Sequence, residues 1–176
     1  MADPIVSFYR GGRDLEGRTL ADILAWDDER LEAVHDYIQW VFPTKQPSGV
    51  NPAAPLVTAG TISEFEKDPL LRAGLRSSLD RMLRFYGLRR NAARIEMDAA
   101  RFPERARNWL NPGNHNHLRL TRIMTSLRVL GLAAQARAMW ECLSQIAADF
   151  PDRVTPATLE YWRAAGGGFT PTVPAA

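Results

Sequence analysis

The sequence is poor in the features that usually reveal where a protein works. Its 176 residues include a single cysteine, Cys142, which rules out an internal disulfide and favours a reducing compartment. No stretch approaches the roughly 18 consecutive apolar residues that a membrane-spanning helix requires. The opening Met-Ala-Asp-Pro also lacks the basic and then apolar pattern of a secretory signal. We therefore expect a cytoplasmic protein that has no membrane partner.

Lysine is almost absent, and the positive charge of the chain comes from arginine. There are two lysines and twenty arginines, with a net charge of +2. Residues 13–36 hold eight acids and three bases, whereas residues 72–107 hold ten arginines and four acids. The 72–107 stretch is the only candidate for a nucleic-acid surface, but it lacks interleaved aromatic residues for stacking and a recognisable reading helix. We do not expect a nucleic-acid partner.

Apolar residues recur at helical spacing along most of the chain, and no segment shows the alternation typical of a half-buried strand. Helix starts are indicated at Thr19 and Asp27, and a third helix is bounded by Asp68-Pro69 and Gly87. The sequence predicts an all-α fold, a single compact domain of about six to eight helices. We divide the chain into an irregular N-terminal segment (1–18), a helical domain (19–163) and a flexible tail (164–176).

The helix that begins after Asp27 is predicted to continue to about Val41. Its apolar residues fall on one face, while Asp36 and Trp40 project from nearly the opposite side. A tryptophan on that side needs a second apolar neighbour, or else it lines an open pocket. Both possibilities remain open from the sequence.

A proline-rich segment follows, and helix is excluded there by the lost amide donors and by ring clashes. Pro43, Pro47, Pro52 and Pro55 punctuate it, and Ser48-Gly49 and Asn51-Pro52 are turn signals. Such a stiff loop can simply connect two helices across the surface. It can also form the rim of a binding site, because recognition residues are often carried on loops of a rigid scaffold.

Two clusters of polar side chains contain all three histidines of the chain. One opens at His35, and the other precedes and begins a strongly apolar helix that Asn114 is placed to cap. Polar groups concentrated in this way bind something or hold the chain in place. The candidate ligand-binding residues are His35, Asp36, Tyr37, Gln39, Trp40, Asn51, Asn114, His115, His117, Arg119 and Arg122.

These clusters and the motifs between them resemble the conserved domain of the opioid growth factor receptor family. The resemblance covers roughly residues 30 to 145, in the correct order. It rests on His35-Asp36-Tyr37-Ile38-Gln39-Trp40-Val41-Phe42-Pro43, Pro47-Ser48-Gly49, Asn51-Pro52, Phe85-Tyr86-Gly87, Asn108-Trp109, His115-Asn116-His117-Leu118-Arg119-Leu120-Thr121-Arg122-Ile123, Ser126-Leu127 and Leu130-Gly131-Leu132. It implies a ligand- or peptide-binding role, since vertebrate members are described as receptors for an enkephalin peptide. The arginine-rich composition is similar to that of a short bacterial member.

Helical geometry indicates which side chains of the second cluster lie on the same side of the helix. In a helix that turns 100° per residue, His115, Arg119, Arg122 and Ser126 fall within about 60° of one another, at the margin of the apolar face. We predict that His115, Arg119 and Arg122 bind a small anionic ligand or a peptide carboxylate near the helix start. The alternative is that both arginines pair with internal acids such as Asp36 and brace the packing of the helices.

A third interpretation is a small enzyme that uses His35 or His115 with Asp36 as an acid–base pair. No glycine-rich phosphate loop, nucleophile elbow or CxxC pair accompanies these histidines. His115 and His117 diverge by about 160° in a helix, so we predict no metal site there. We also expect no cofactor, and catalytic residues are not identified.

Overall fold

A computed structural model describes residues 3–168 as ten helices and one two-stranded hairpin. The chain is mostly helical, as predicted, although with more and shorter helices than six to eight. In chain order the elements are α1 (Pro4–Tyr9), α2 (Leu20–Leu24), α3 (Asp28–Ala33), α4 (Ile38–Val41), α5 (Ala59–Lys67), α6 (Pro69–Tyr86), β1 (Leu88–Asn91), β2 (Arg94–Met97), α7 (Phe102–Trp109), α8 (Asn116–Val129), α9 (Ala133–Asp149) and α10 (Pro156–Gly166).

Helix α8 lies at the centre of the fold. It packs against both α9 and α10, which also pack against each other. Its apolar face is fully buried through Leu120, Ile123, Met124 and Leu127. Burial of four such side chains stabilises the fold by several kcal/mol, at about 1.5–3 kcal/mol for each. The polar margin of α8 is therefore held in a fixed place.

The predicted helix caps are confirmed where the sequence signals were strongest. Thr19 accepts a hydrogen bond from the amide of Asp22, which accepts one from Thr19 in return. Asp27 accepts from the amide of Arg30 at the start of α3. Helix α6 begins after Asp68 and ends at Gly87, whose φ of 76° is the left-handed conformation that favours glycine.

The predicted single helix from Asp28 to Val41 is wrong, because the chain breaks after Ala33. In an unbroken helix the carbonyls of Leu31 and Val34 would accept from amides four residues later. They accept instead from the guanidinium of Arg119, at 2.9 Å each. Residues 34–37 consequently form a connector between α3 and α4 that is fixed by α8.

The hairpin of β1 and β2 is a second departure from the all-helical prediction. The strands pair antiparallel with Leu88 opposite Met97, and Leu88 and Ile95 are their buried residues. Each short strand buries a single residue fully, so no alternating pattern was available to read.

The ends of the predicted domain also need correction. Residues 4–9 form α1 rather than an irregular segment, with Asp3 as N-cap and Pro4 at the first position. At the other end α10 continues to Gly166, and most of the predicted tail, residues 169–176, lies outside the described residues. Within residues 3–168 no helix has both the length and the apolar character needed to cross a bilayer.

Candidate functional site

A groove runs along the exposed margin of α8, and we call it the α8 groove. Its walls are α8 from His115 to Val129, α4 at Ile38 and Gln39, and the loop of residues 44–50. Its volume of about 600 Å³ lies within the range of small-molecule and peptide sites. The two polar clusters, some eighty residues apart in sequence, therefore meet on one surface.

The charges that line the α8 groove have a single sign. Its basic side chains are His35, Lys45, His115, Arg119 and Arg122. No aspartate or glutamate lies among the described residues that line it. Apolar side chains also line the groove between the basic ones. Two of them at its edge, Leu118 and Val50, are 72% and 74% exposed.

The loop wall is held by its own hydroxyl and amide groups. Ser48 accepts from the amides of Val50 and Asn51, and Thr44 donates to the carbonyl of Gln46. The Asn51 side chain donates to the carbonyl of Asp36 at 3.1 Å, which ties the loop to the α3–α4 connector. The proline-rich loop thus forms one wall of the groove.

Arg119 lines the groove, but its donors point into the protein. Its side chain is 6% exposed and lies 3.8 Å from the carboxylate of Glu32. Its guanidinium also donates to the carbonyls of Leu31 and Val34, the unpaired carbonyls at the end of α3. Arg119 therefore braces α3 against α8. The acid that the sequence offered as its partner, Asp36, pairs with Arg18 at 2.8 Å.

Arg122 lies one helical turn further along α8, and its hydrogen bonds are longer than those of Arg119 to Leu31 and Val34. One of its guanidinium nitrogens donates weakly to the carbonyl of Phe42 at 3.3 Å and to the hydroxyl of Thr44 at 3.2 Å. Among the described residues no carboxylate lies within ion-pair distance of it. Burial lowers the pKa of this half-buried group from its ordinary value. Arg122 is thus a partly desolvated cation that an anion in the groove could approach.

His35 and His115 face each other at the other end of the groove, with ring centroids 5.4 Å apart. Nε2 of His115 lies 3.0 Å from a carboxylate oxygen of Glu32. Burial lowers the pKa of His115, more than the Glu32 carboxylate raises it, because desolvation penalises the charged ring. In its uncharged form this ring carries one donor and one acceptor.

Two other polar residues of the α8 cluster are buried in the core. His117 packs between Trp109 and Trp162, and its Nε2 lies 3.0 Å from the carbonyl of Trp109. Asn116 donates to Glu32 at 3.1 Å. Since neither lines the groove, the prediction that His117 contacts a ligand has no support from its position.

The remaining candidates from the first cluster mostly hold the scaffold together. Tyr37 is buried, and burial raises its pKa to about 12. Trp40 is 5% exposed and packs against Phe8 of α1, 5.5 Å between ring centroids, so it has the second neighbour that its position required. Gln39 lines the groove and can donate to the carbonyls of His35 and Asp36, at 3.3 and 3.1 Å.

Asn114 acts at the helix start but does not occupy the cap position. His115 is the N-cap of α8 and makes no capping bond with its side chain. The Asn114 carboxamide oxygen accepts from the amide of Asn116 at 2.9 Å, and its nitrogen donates to the carbonyl of Asn108. Asn114 is therefore a structural link between α7 and α8.

The acid–base pair predicted for an enzyme does not form. Asp36 is engaged with Arg18, and the carboxylate beside His115 is that of Glu32. In the described part of the chain no group of three or more histidine, cysteine, aspartate or glutamate side chains is arranged to hold a metal ion.

Much of the arginine-rich stretch 72–107 is occupied within the protein. Arg81 pairs with Asp28 and Arg90 with Asp80. Arg105 donates to the carbonyl of Phe85, and Arg72 donates to that of Glu66. These four of the ten arginines in the stretch are thus engaged within the protein.

Sequence analysis missed several groove residues, and all of them except Lys45 lack an ionisable side chain. Leu118, Thr121 and Thr125 lie on the same face of α8 as Arg122, and Lys45 and Gln46 lie on the loop. The helical spacing of 118, 121, 122 and 125 is the signal that could have located the α8 wall.

Comparisons with known proteins agree with the resemblance. A model of the opioid growth factor receptor conserved region matches residues 10–163. The opioid growth factor receptor of Homo sapiens is 39% identical over 137 residues, which cover 73% of this chain and 20% of the human protein. The Mus musculus receptor is 38% identical over 135 residues, 72% of this chain and 21% of its own length. Opioid growth factor receptor-like protein 1 of Mus musculus is 37% identical over 111 residues, 60% of this chain and 22% of its own length.

The chain thus spans about a fifth of the length of these relatives. No solved structure matches it. The family model covers most of the chain, including both polar clusters and the groove that they form. This protein belongs to the opioid growth factor receptor conserved-region family.

Proposed function

We propose that this chain is a ligand-binding module whose α8 groove takes a peptide or small molecule through an acidic group. The observation that carries the proposal is Arg122, a half-buried guanidinium on the groove wall with no carboxylate partner among the described residues. A partly desolvated arginine binds a carboxylate or phosphate more strongly than an exposed one, because water competes less for its donors.

The rest of the groove favours the same class of ligand. Among the residues that the structure describes, its lining contains basic side chains and no acidic ones. Leu118 and Val50 add exposed apolar area at its edge, which a single small ion would leave uncovered. A ligand with an acidic group and an apolar body complements both features.

The names of the relatives point to a peptide. They are called opioid growth factor receptors, and vertebrate members of the family that the chain resembles are described as receptors for an enkephalin peptide. We extend this to the present chain as part of the proposal. The free carboxylate of such a peptide is the group we assign to Arg122.

Calorimetric titration with an enkephalin peptide, as the free acid and as the C-terminal amide, tests the proposal. We expect the acid to bind and the amide to bind about 10- to 100-fold more weakly, the worth of a charge-assisted hydrogen bond. Arg122→Gln should remove this preference while circular dichroism shows an unchanged helical fold.

Arg137→Gln is the matched control, because Arg137 lies on α9, is exposed and does not line the groove. This variant should bind as the parent protein does. Equal binding of the acid and the amide, or an acid preference that survives in Arg122→Gln, would refute recognition of an anion by Arg122.

A further inference from the structure

We propose that His35 and His115 form a second anion contact in the α8 groove, so that its preferred ligand carries two acidic groups about 10 Å apart. The inference rests on the proposed function, in which Arg122 binds the first acidic group. It adds to that function the distance between the two acidic groups of the ligand and a dependence of the affinity on pH.

The spacing follows from the position of the basic groups on α8. His115 and Arg122 are seven residues apart, which is about 10.5 Å along a helix axis. Arg119 lies between them in sequence, but its guanidinium is committed to the carbonyls of α3. Leu118 is exposed in the interval. The groove therefore offers two separate polar ends with an apolar stretch between them.

The two histidines are arranged to share one anion. Their ring centroids are 5.4 Å apart, and both rings line the groove. His35 comes from the α3–α4 connector and His115 from the start of α8. A carboxylate placed between the rings can accept one hydrogen bond from each, since a neutral imidazole donates from one ring nitrogen and an imidazolium from both.

The charged groups around the pair determine when this happens. Glu32 of α3 lies 3.0 Å from His115, Arg119 of α8 lies 3.8 Å from Glu32, and Lys45 lies on the loop wall. Asp36 of the connector is paired with Arg18. With His115 neutral, the Glu32 carboxylate repels a second anion and Arg119 only offsets it. Protonation of His115 reverses the balance, so the second acidic group binds together with a proton.

Synthetic peptides separate this proposal from the simpler one. A tetrapeptide capped at both ends, with aspartates at its first and fourth positions and prolines between them, adopts the polyproline II helix, which repeats every three residues and therefore places both carboxylates on one side, about 9 Å apart along the axis. Two control peptides carry asparagine in place of one aspartate or the other. Calorimetry near pH 6 and near pH 8, in buffers with different ionisation enthalpies, gives both the affinity and the number of protons taken up.

We expect the two-acid peptide to bind at least about 5-fold more tightly than either control near pH 6, and less than about 2-fold more tightly near pH 8. Only the two-acid peptide should take up protons. In the double variant His35→Gln/His115→Gln, the advantage and the proton uptake should disappear while both single-acid peptides still bind.

Two outcomes overturn the inference and leave the proposed function standing. One is an advantage of the two-acid peptide that is equal at both pH values. The other is proton uptake that persists in the double histidine variant. If Arg122→Gln leaves the binding of the single-acid peptides unchanged, the anion site itself is refuted and this inference fails with it.

Discussion

Replacing Arg119 with methionine removes the link between α3 and α8 with little change in side-chain volume. The parent guanidinium is 6% exposed and makes two bonds of 2.9 Å, to the carbonyls of Leu31 and Val34. A hydrogen bond to a charged group contributes about 1.5–3 kcal/mol. In the variant the carbonyls of Leu31 and Val34 and the carboxylate of Glu32 also lose their charged partner. We expect the free energy of unfolding to fall by about 3–5 kcal/mol, a large part of the roughly 5–15 kcal/mol of a typical domain.

Urea denaturation followed by tryptophan fluorescence and far-UV circular dichroism measures this loss. Arg137→Met is the matched control, because Arg137 is 63% exposed and its ion pair with Glu141 is equally exposed. It should cost less than about 1 kcal/mol. Arg119→Lys should fall between the two, since one ammonium group cannot reproduce the planar fork that reaches both carbonyls. A loss below about 1 kcal/mol in Arg119→Met would refute the bracing role.

Three further predictions concern other parts of the fold. Burial lowers the pKa of His117 below its value in the unfolded chain, so the unfolded state binds an extra proton and the free energy of unfolding should fall as the pH drops below about 6.5. In denaturation measured at several pH values, His117→Gln should flatten this dependence. An unchanged slope would contradict the prediction. Gly87→Ala should lower the melting temperature more than Gly113→Ala. Both glycines have φ near 75°, but only a Cβ at Gly87 would meet backbone, 2.7 Å from Cα of Phe102. Equal losses of melting temperature would show that the clash is relieved. Burial raises the pKa of Cys142 to about 12, so in the folded protein its alkylation by iodoacetamide should be about 1,000-fold slower than in urea at the same pH, and similar rates would contradict a buried thiol.

The sequence predicted the parts of the fold whose determinants are local. Helix α6 was bounded correctly because Asp68, Pro69 and Gly87 act on their own backbone neighbours. The α3–α4 break was missed because its cause, Arg119, lies 85 residues or more away along the chain. α1 was missed although Asp3-Pro4 is an ordinary helix start.

The candidate site was predicted in outline, and the structure separates the candidate residues that line the groove from those that are buried in the core. Helical spacing correctly put His115, Arg119 and Arg122 at the margin of the core, and all three line the α8 groove. Spacing alone could not distinguish a guanidinium directed at internal carbonyls from one directed at the groove. That difference depends on which carbonyls α3 leaves unpaired, which is a tertiary property. The sequence left the position of the loop open between a surface connection and the rim of a site, because its place opposite α8 depends on the bond from Asn51 to the connector.

The bonds from Arg119 to α3 also determine how the chain can fold. They join residues 85 and 88 positions apart, so they form only after a long loop has closed. α6 and the β1–β2 hairpin lie inside that loop and can form earlier from local contacts. We expect the connector and the groove to appear in the last, cooperative step of folding.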